Sequence, residues 1–320
     1  KIKNMIRTAE CITPNHPDKI CDRISDRILD ACLEQDPNTR AAIETMGGHG
    51  IITVTGELST DAFVDIPEIV KAVYGKDIGV QTNIVMQSPE IAQGVDTGGA
   101  GDQGIMIGYA CTENEEMVPQ EYYLARKLCE SIFINHPYDG KTQVTILDDN
   151  SLNVVASFQN TSSEDLVYHI EDFFAETDYT INSLHCNPAG EWNLGGFDAD
   201  TGLTGRKLAV DNYGPRIPLG GGAFSGKDSS KVDRSAAYMA RRIATDYIEK
   251  YNAEEVYVTL AYAIGHDKPL QATALVDGKE VNIDDYNLTP KGIVEFLGLK
   301  QPIFYETSKW GHMGKNFSWN

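Results

Sequence analysis

Positive charge is scarce in this chain of 320 residues. Against 47 aspartates and glutamates stand only 27 lysines and arginines, a formal charge of −20 at pH 7. Such a protein is repelled by bulk nucleic acid, and no long basic run offsets the repulsion, so a nucleic-acid partner is excluded. Long apolar runs are absent too: nothing approaches the roughly 18 residues of a membrane span. Residues 1–10 lack the apolar segment of a secretory signal. The expectation is a cytoplasmic protein with no membrane partner. Cysteine is sparse and unpatterned: Cys11, Cys21, Cys32, Cys111, Cys129 and Cys186 form no C-x-x-C pair. A structural zinc or a redox dithiol is therefore not expected, and reduced thiols in a packed interior are. What is present is an ordinary globular composition, 41% hydrophobic and 23% charged. The length exceeds what one core serves, so two or three lobes are expected.

One grammar, a strand pair followed by a capped helix, repeats three times. In the first third Ile51 to Leu58 is β-branched and extended. Ser59-Thr60-Asp61 reads as the start of a helix carrying Ile66, Ile69, Val70 and Val73, with Pro67 tolerable only in its first turn. In the second third Gln143–Leu147 and Leu152–Phe158 flank the hairpin loop Asp148-Asp149-Asn150-Ser151. Ser162-x-x-Asp165 then resembles a capping box ahead of Leu166, Ile170, Phe173 and Phe174. In the last third Val256, Val258, Leu260, Tyr262 and Ile264 alternate. Ala272 to Val276 ends at Asp277-Gly278, a type I′ turn signal, and Thr289-Pro290 opens a helix with Ile293, Val294 and Leu297. Repeats of about a hundred residues suit tandem α+β domains. The domains are placed at 1–93, 99–194 and 196–320, with strands free to interleave.

Two further helices stand out. Ile20, Ile24, Ile28 and Ala31 form an apolar stripe on a helix that also carries Asp18, Asp22, Asp26 and Asp30 four residues apart. That line of like charge costs helix stability; i,i+3 pairing with Arg23 and Arg27 is the expected relief. The second helix, from Asp233 to Tyr251, buries Ala236, Ala240, Ile243, Tyr247 and Ile248 and exposes Arg241, Arg242 and Lys250.

Chemistry concentrates in a few segments. Residues 220–234, GGGAFSGKDSSKVDR, satisfy G-x-x-x-x-G-K from Gly221 to Lys227. A P-loop needs Ser or Thr next and a strand before, whereas Asp228 follows and Tyr213 to Pro218 reads as loop. The nucleotide-hydrolase reading is therefore rejected. Glycines that let amides approach an anion remain, with Lys227, Lys231 and Arg234 just before a helix N-terminus. Arg206-Lys207 and Lys141 are the other cations that such a site could gather. His16-Pro17-Asp18-Lys19 sets an imidazole and a hard-cation carboxylate at a helix start, with capping by Asp18 as the plain structural alternative. Asp102 sits in the glycine loop 98–104, where a lone carboxylate suits a ribose diol, and Trp192 precedes Asp200 in another loop.

The stretches His16 to Lys19, Glu34-Gln35-Asp36-Pro37, Gln87-Ser88-Pro89-Glu90, Gly99 to Gly104, Thr201 to Lys207 and Gly220 to Ala237 resemble the S-adenosylmethionine synthetase (methionine adenosyltransferase) family, in order and over nearly the whole chain. The resemblance implies three topologically similar α+β domains with pseudo-threefold symmetry. It also implies a homodimer with active sites at the subunit interface, and in some members a tetramer. The implied reaction is attack of methionine sulfur on C5′ of ATP, expelling tripolyphosphate that is then cleaved to diphosphate and phosphate. Carried over by position, the resemblance makes His16, Lys141 and Lys227 catalytic, His16 at the ATP oxygen where the bond breaks. Arg206, Lys207, Lys227 and Lys231 would hold the polyphosphate, with Asp102, Asp200 and Trp192 at the nucleoside. Glu57, Gln87, Asp200 and Lys231 would contact methionine. Asp18 and Asp233 would ligate Mg²⁺, two ions per site, and Glu44 a K⁺ ion.

The chain departs from the family pattern in places. Asn15 stands before the histidine in place of Gly, Glu191 in place of Arg, and Ser229 in place of Pro. The segment 95–99 is shorter than the family's mobile loop, which bears on gating and product release. The end at Trp319-Asn320 is earlier than in most members, so a C-terminal helix and its tetramer contacts are expected to be missing. A non-catalytic regulatory subunit of the same family is the competing expectation.

Overall fold

The computed structural model describes residues 6–87, 98–314 and 317–320. Ser88, Pro89 and Glu90 of the Gln87 motif, and residues 95–97 of the shortened segment, lie outside the described residues.

Among the described residues twelve strands form three four-stranded sheets, and each sheet takes one strand from another third of the chain. The central sheet orders β1 (Arg7–Ile12), β6 (Gly140–Ile146), β7 (Ser151–Phe158) and β8 (Thr180–Cys186). The first sheet orders β4 (Gly79–Val85), β3 (Ile51–Ser59), β2 (Arg40–Gly48) and the short β9 (Gly202–Leu203). The last orders β12 (Lys279–Asn282), β11 (Gln271–Val276), β10 (Glu255–Tyr262) and β5 (Gly104–Cys111). The exchange is cyclic: β1 passes from the first third to the central sheet, β5 from the second to the last, and β9 from the last to the first.

Helices cover one face of these sheets: α1 (Pro17–Leu33), α2 (Ile66–Tyr74), α3 (Gln120–Asn135), α4 (Ser163–Phe174), α5 (Leu208–Asp211), α6 (Val232–Tyr251), α7 (Pro290–Leu297) and α8 (Phe304–Trp310). The strict burial alternation along β10 shows why its sequence alternates, with one face against α6 and the other outward. In the first two sheets a helix crosses between parallel strands, α2 from β3 to β4 and α4 from β7 to β8. The last sheet differs. There β11 turns straight into antiparallel β12 through Asp277 and Gly278, both at positive φ (48° and 76°), as a type I′ turn requires. Buried side chains from all three thirds join one continuous core, from Ile28 through Leu128 to Ile243.

Most local expectations hold: Ser162 caps α4 and Thr289 caps α7. Three do not. Helix α2 begins at Ile66 under an Asp65 cap, because Ser59 still belongs to β3 and Asp36 captures the Thr60 hydroxyl and the Asp61 amide. Arg241 is buried, not exposed. Its guanidinium donates to the carbonyls of Tyr109, Glu116 and Met117, which gives the buried charge its hydrogen bonds in the interior.

The third correction concerns the aspartate row of α1. All four are buried, at 2%, 0%, 0% and 3% exposure for Asp18, Asp22, Asp26 and Asp30. Arg23 instead donates to Pro14 O and the Tyr305 hydroxyl, and Arg27 pairs with Glu34. The acid row is answered from the far end of the sequence. Asp18 accepts from the Leu203 amide and Lys207, Asp22 from the Gly205 amide, and Asp30 from the amides of Phe304 and Tyr305. Asp26 accepts from the Gly226 amide and, through both oxygens, from Arg234 at 2.7 and 2.9 Å. A fully buried fork of this kind cannot lose one partner cheaply. Arg234→Ala should lower the urea-unfolding free energy by about 3–5 kcal/mol; a change within about 0.5 kcal/mol would mean that the pair is not what joins α1 to α6.

Candidate active site

Strand exchange brings the first group of site residues together. Strand β1 pairs antiparallel with β6 so that Ile12 faces Lys141, and the Thr13 amide donates to Gly140 O. The chain then turns into α1, leaving His16 above the start of β6. His16, not Asp18, is the N-cap: its Nδ1 accepts the Asp18 amide at 3.2 Å. Lys141 also faces Ser157 across β7, and the Ser157 hydroxyl accepts the Trp192 indole N–H at 3.1 Å, which seats Trp192 beside Lys141. Lys141 Nζ itself lies 3.3 Å from Glu10.

Burial pushes the His16 imidazole down to about 4, and the neighbouring charges of Lys207 and Lys141 add to this against Asp18 and Asp200. The ring is therefore neutral near pH 7. Because Nδ1 accepts a hydrogen bond, its proton resides on Nε2, and His16 presents an uncharged N–H donor outward. Burial alone would raise Asp18, but Lys207 and the Leu203 amide hold it below the ordinary carboxylate range. One residue that the sequence reading passed over belongs here. Asp139 accepts the Gly196 amide at 2.8 Å and is raised to about 6, mainly by burial. Its place beside Gly140 in the sequence was the one available signal.

Residues 201–207 deliver the cations Arg206 and Lys207. A Cβ on Gly202 would fall 2.2 Å from the Pro17 carbonyl carbon, so only glycine allows β9 to cross the start of α1. Gly205 sits at φ 77°, and its amide is held by Asp22. Asp22 is braced in turn by Lys19, which lies between Asp22 (3.0 Å) and Asp211 (2.5 Å) with no solvent access. Lys207 then reaches Asp18 at 2.5 Å, and Arg206 lies 3.7 Å from the same carboxylate.

The second group lies on the edge and outer face of the first sheet. Residues 226–228 extend that edge: Ile43 N donates to Gly226 O, Asp228 N donates to Ala41 O, and Ala42 bridges Lys227. Lys227 pairs with Asp233 at 2.7 Å and lies within electrostatic reach of Glu44. Glu57 faces Ala42 on β2 and Val85 on β4, and the Gln87 amide, two residues on, donates to Ser59 Oγ. Gln87 Oε1 is buried with no partner among the described residues. Gly104, Gly221 and Gly222 border Asp233, where any Cβ would come within 2.7–3.2 Å of its carboxylate oxygens. Asp102, exposed, caps the Gln103 amide two residues before that border.

One expectation for this segment fails. Arg234 does not face an anion, since its guanidinium is consumed by buried Asp26. Asp228, which disqualified the P-loop, is structural: it accepts from the amides of Ala41 and Ser230 and pairs with Lys231 at 2.5 Å.

Within one chain the cations therefore form two groups. His16, Asp18, Lys141, Asp200, Arg206 and Lys207 surround the N-terminus of α1. Lys227, Asp233, Glu44, Glu57 and Gln87 gather on the first sheet, with Lys231 beside them. Asp18 and Asp26, which anchor the two loops, are about 12 Å apart along the helix. A cavity of about 370 Å³ between residues 37–40, 228–230 and α7 contains none of the candidate side chains and is not this site.

Three family profiles match consecutive stretches: S-adenosylmethionine synthetase, N-terminal domain, over residues 4–96, central domain over 97–191, and C-terminal domain over 194–320. The chain is similar to an S-adenosylmethionine synthase of Petrotoga mobilis, 38% identical, with 99% of this chain and 96% of the relative covered. It is 40% identical to that of Clostridium tetani, covering 96% and 94%, and 40% identical to that of Pseudothermotoga lettingae, covering 98% and 95%. The chain belongs to the S-adenosylmethionine synthetase family. The Petrotoga alignment runs over 388 positions, so at least 68 positions of that relative have no counterpart among the 320 residues here.

The state of His16 is directly testable. Its folded-state value lies below its ordinary 6.5, so the unfolded chain takes up the proton first; the stability that the neutral ring contributes is present above about 6.5 and is lost as pH falls toward 4. Nitrogen NMR should show a neutral, Nε2-protonated ring unchanged from pH 8 down to about 5. A midpoint near 6.5 would refute the buried N-cap geometry.

Proposed function

We propose that the protein is a methionine adenosyltransferase whose active site forms between two copies of the chain. Methionine sulfur attacks C5′ of ATP, S-adenosylmethionine forms, and tripolyphosphate leaves and is cleaved to diphosphate and phosphate. The observation that carries this proposal is the division of the cations into two groups. Each group holds an acid–lysine pair, and a tripolyphosphate would draw on the cations of both. The outer face of the first sheet supports a partner there: Met46, Ile51, Val85 and Leu203 are exposed on the sheet that carries Glu44 and Glu57. The domain division at 1–93, 99–194 and 196–320 and a pseudo-threefold arrangement are supported by the cyclic exchange of β1, β5 and β9.

In this reading the His16 Nε2–H donates a hydrogen bond, keeping its proton, to the ATP oxygen that departs from C5′, where negative charge develops. A neutral donor does this without first losing solvation as an ion. Lys141, Arg206 and Lys207 from one copy and Lys227 and Lys231 from the other hold the triphosphate, and their attraction grows as it leaves. The pairs Lys207–Asp18 and Lys227–Asp233 keep these ammonium groups in place and partly neutralised until a polyanion competes for them. Glu57, Gln87, Asp200 and Lys231 bind methionine. Asp102 and Asp200 hold the ribose, with Trp192 against the adenine. Asp18 and Asp233 are hard oxygen donors suited to Mg²⁺. Among the described residues no three His, Cys, Asp or Glu side chains converge on one point. That donor set fits Mg²⁺, which takes one or two carboxylates and completes its shell with phosphates and water. Bound there, Mg²⁺ would neutralise polyphosphate charge, and Glu44 would hold K⁺. No described helix is long and apolar enough to cross a membrane, which supports a cytoplasmic location; dimer and tetramer are both compatible with the site.

Incubation with ATP, methionine, Mg²⁺ and K⁺ should give methionine-dependent S-adenosylmethionine with diphosphate and phosphate. ADP would point to a nucleotide hydrolase, and no product to a regulatory subunit. Lys227→Ala should lower kcat roughly a hundredfold while weakening ATP binding by less than about tenfold; equal losses in both would contradict its role. The shared site has its own test. His16→Asn and Lys227→Ala proteins should each be inactive, yet unfolding and refolding them as a 1:1 mixture should restore about a quarter of wild-type activity, because half the dimers then hold one intact site. No recovery, with dimers formed, would put the whole site in one chain.

A further inference from the structure

Two histidines outside the site meet on the helical face of the central sheet. His136 ends α3 as its C-cap, with its amide donating to Ile132 O, and His169 projects from the middle of α4. Their Nε2 atoms are 3.1 Å apart, and the rings lie 5.1 Å between centres at 83°. Both residues are half-buried. Nothing in the proposed reaction uses either residue.

We infer that His136 and His169 form a two-histidine site for a first-row divalent cation, Zn²⁺ in the first instance, bridging the C-terminus of α3 to α4. Geometry and residue types together support such a site. Two imidazoles bound through Nε2 at tetrahedral Zn²⁺ place their nitrogens about 3.3 Å and their ring centres about 5.2 Å apart. The observed 3.1 and 5.1 Å match both distances within the tolerance of such bonds. Burial, and then the neighbouring His169 ring, lower the His136 imidazole, so its lone pair is free at neutral pH. Asp165, one turn before His169, adds negative charge beside the pair while its side chain accepts the Ser162 hydroxyl. With only two protein ligands, the remaining positions go to water. The soft-to-borderline imidazole pair selects Zn²⁺, Ni²⁺ or Cu²⁺ over the Mg²⁺ of the proposed active site.

The competing account of the contact is a plain N–H···N hydrogen bond between neutral rings. Glutamine at either position keeps a donor and an acceptor near the Nε2 site but removes the metal-binding lone pair, which separates the two accounts. Calorimetric titration with Zn²⁺, in Mg²⁺ buffer so that oxygen-donor sites are filled, should show one micromolar-range site per chain. His136→Gln and His169→Gln should each weaken it by about tenfold or more. Cu²⁺ in the wild-type protein should give an electron paramagnetic resonance spectrum with two coupled nitrogens, reduced to one in either variant. Zn²⁺ should raise Tm in the wild type alone, by ligand linkage, and methionine adenosyltransferase activity should be the same in all three proteins. Identical isotherms in the wild type and both variants, or no binding up to about 100 µM, would overturn the inference.

Discussion

The structure depends on one row of buried negative charge. Helix α1 carries four aspartates along one side, and in isolation their mutual repulsion would cost it stability. In the folded chain each becomes an acceptor for something brought from the last third: the Leu203, Gly205 and Gly226 amides, the Arg234 fork, and the first amides of α8. The helix is stable only as the spine on which the C-terminal third is laid. Desolvating four carboxylates is tolerable because each accepts at least two directed hydrogen bonds, some from cations.

The same row sets out the site. Asp18 and Asp22 fix the loop that ends in Arg206 and Lys207, and Asp26 fixes the loop that carries Lys227. The cations reach the surface from loops whose backbones are clamped at buried carboxylates, so their positions are rigid although the segments are not helical or extended. A strongly acidic protein can in this way hold local positive potential. Lys207 and Lys227, both half-buried, each rest against a carboxylate that a polyanion or a metal would displace them from. The strand exchange performs the matching task for His16, because β1 can set the histidine over Lys141 only by leaving its own third for the central sheet.

Much of this was legible in the residues. Turn and cap signals fixed their elements because they act within four residues: Asp277-Gly278 with its two positive φ angles, Ser162 and Thr289 with their caps. The order of the motifs was enough to recognise the family. The failures share one cause. Arg23 and Arg27 were expected as the relief of the acid row, Arg234 as an anion ligand and Arg241 as a surface charge, since sequence neighbours are the only partners that a sequence displays. Arg234 pairs with Asp26, 208 residues away, and Asp30 accepts from amides 274 and 275 residues away, while Arg27 turns from the row to Glu34.

The sequence by itself determined the elements, the glycine positions where no side chain fits, and the set of side chains available for chemistry, because propensity, turn geometry and residue type are local properties. Tertiary structure alone decided which charges are consumed inside and which remain for a ligand. A buried carboxylate must take its hydrogen bonds from whatever the fold brings near, and strand exchange among three sheets brings residues together without regard to their separation along the chain.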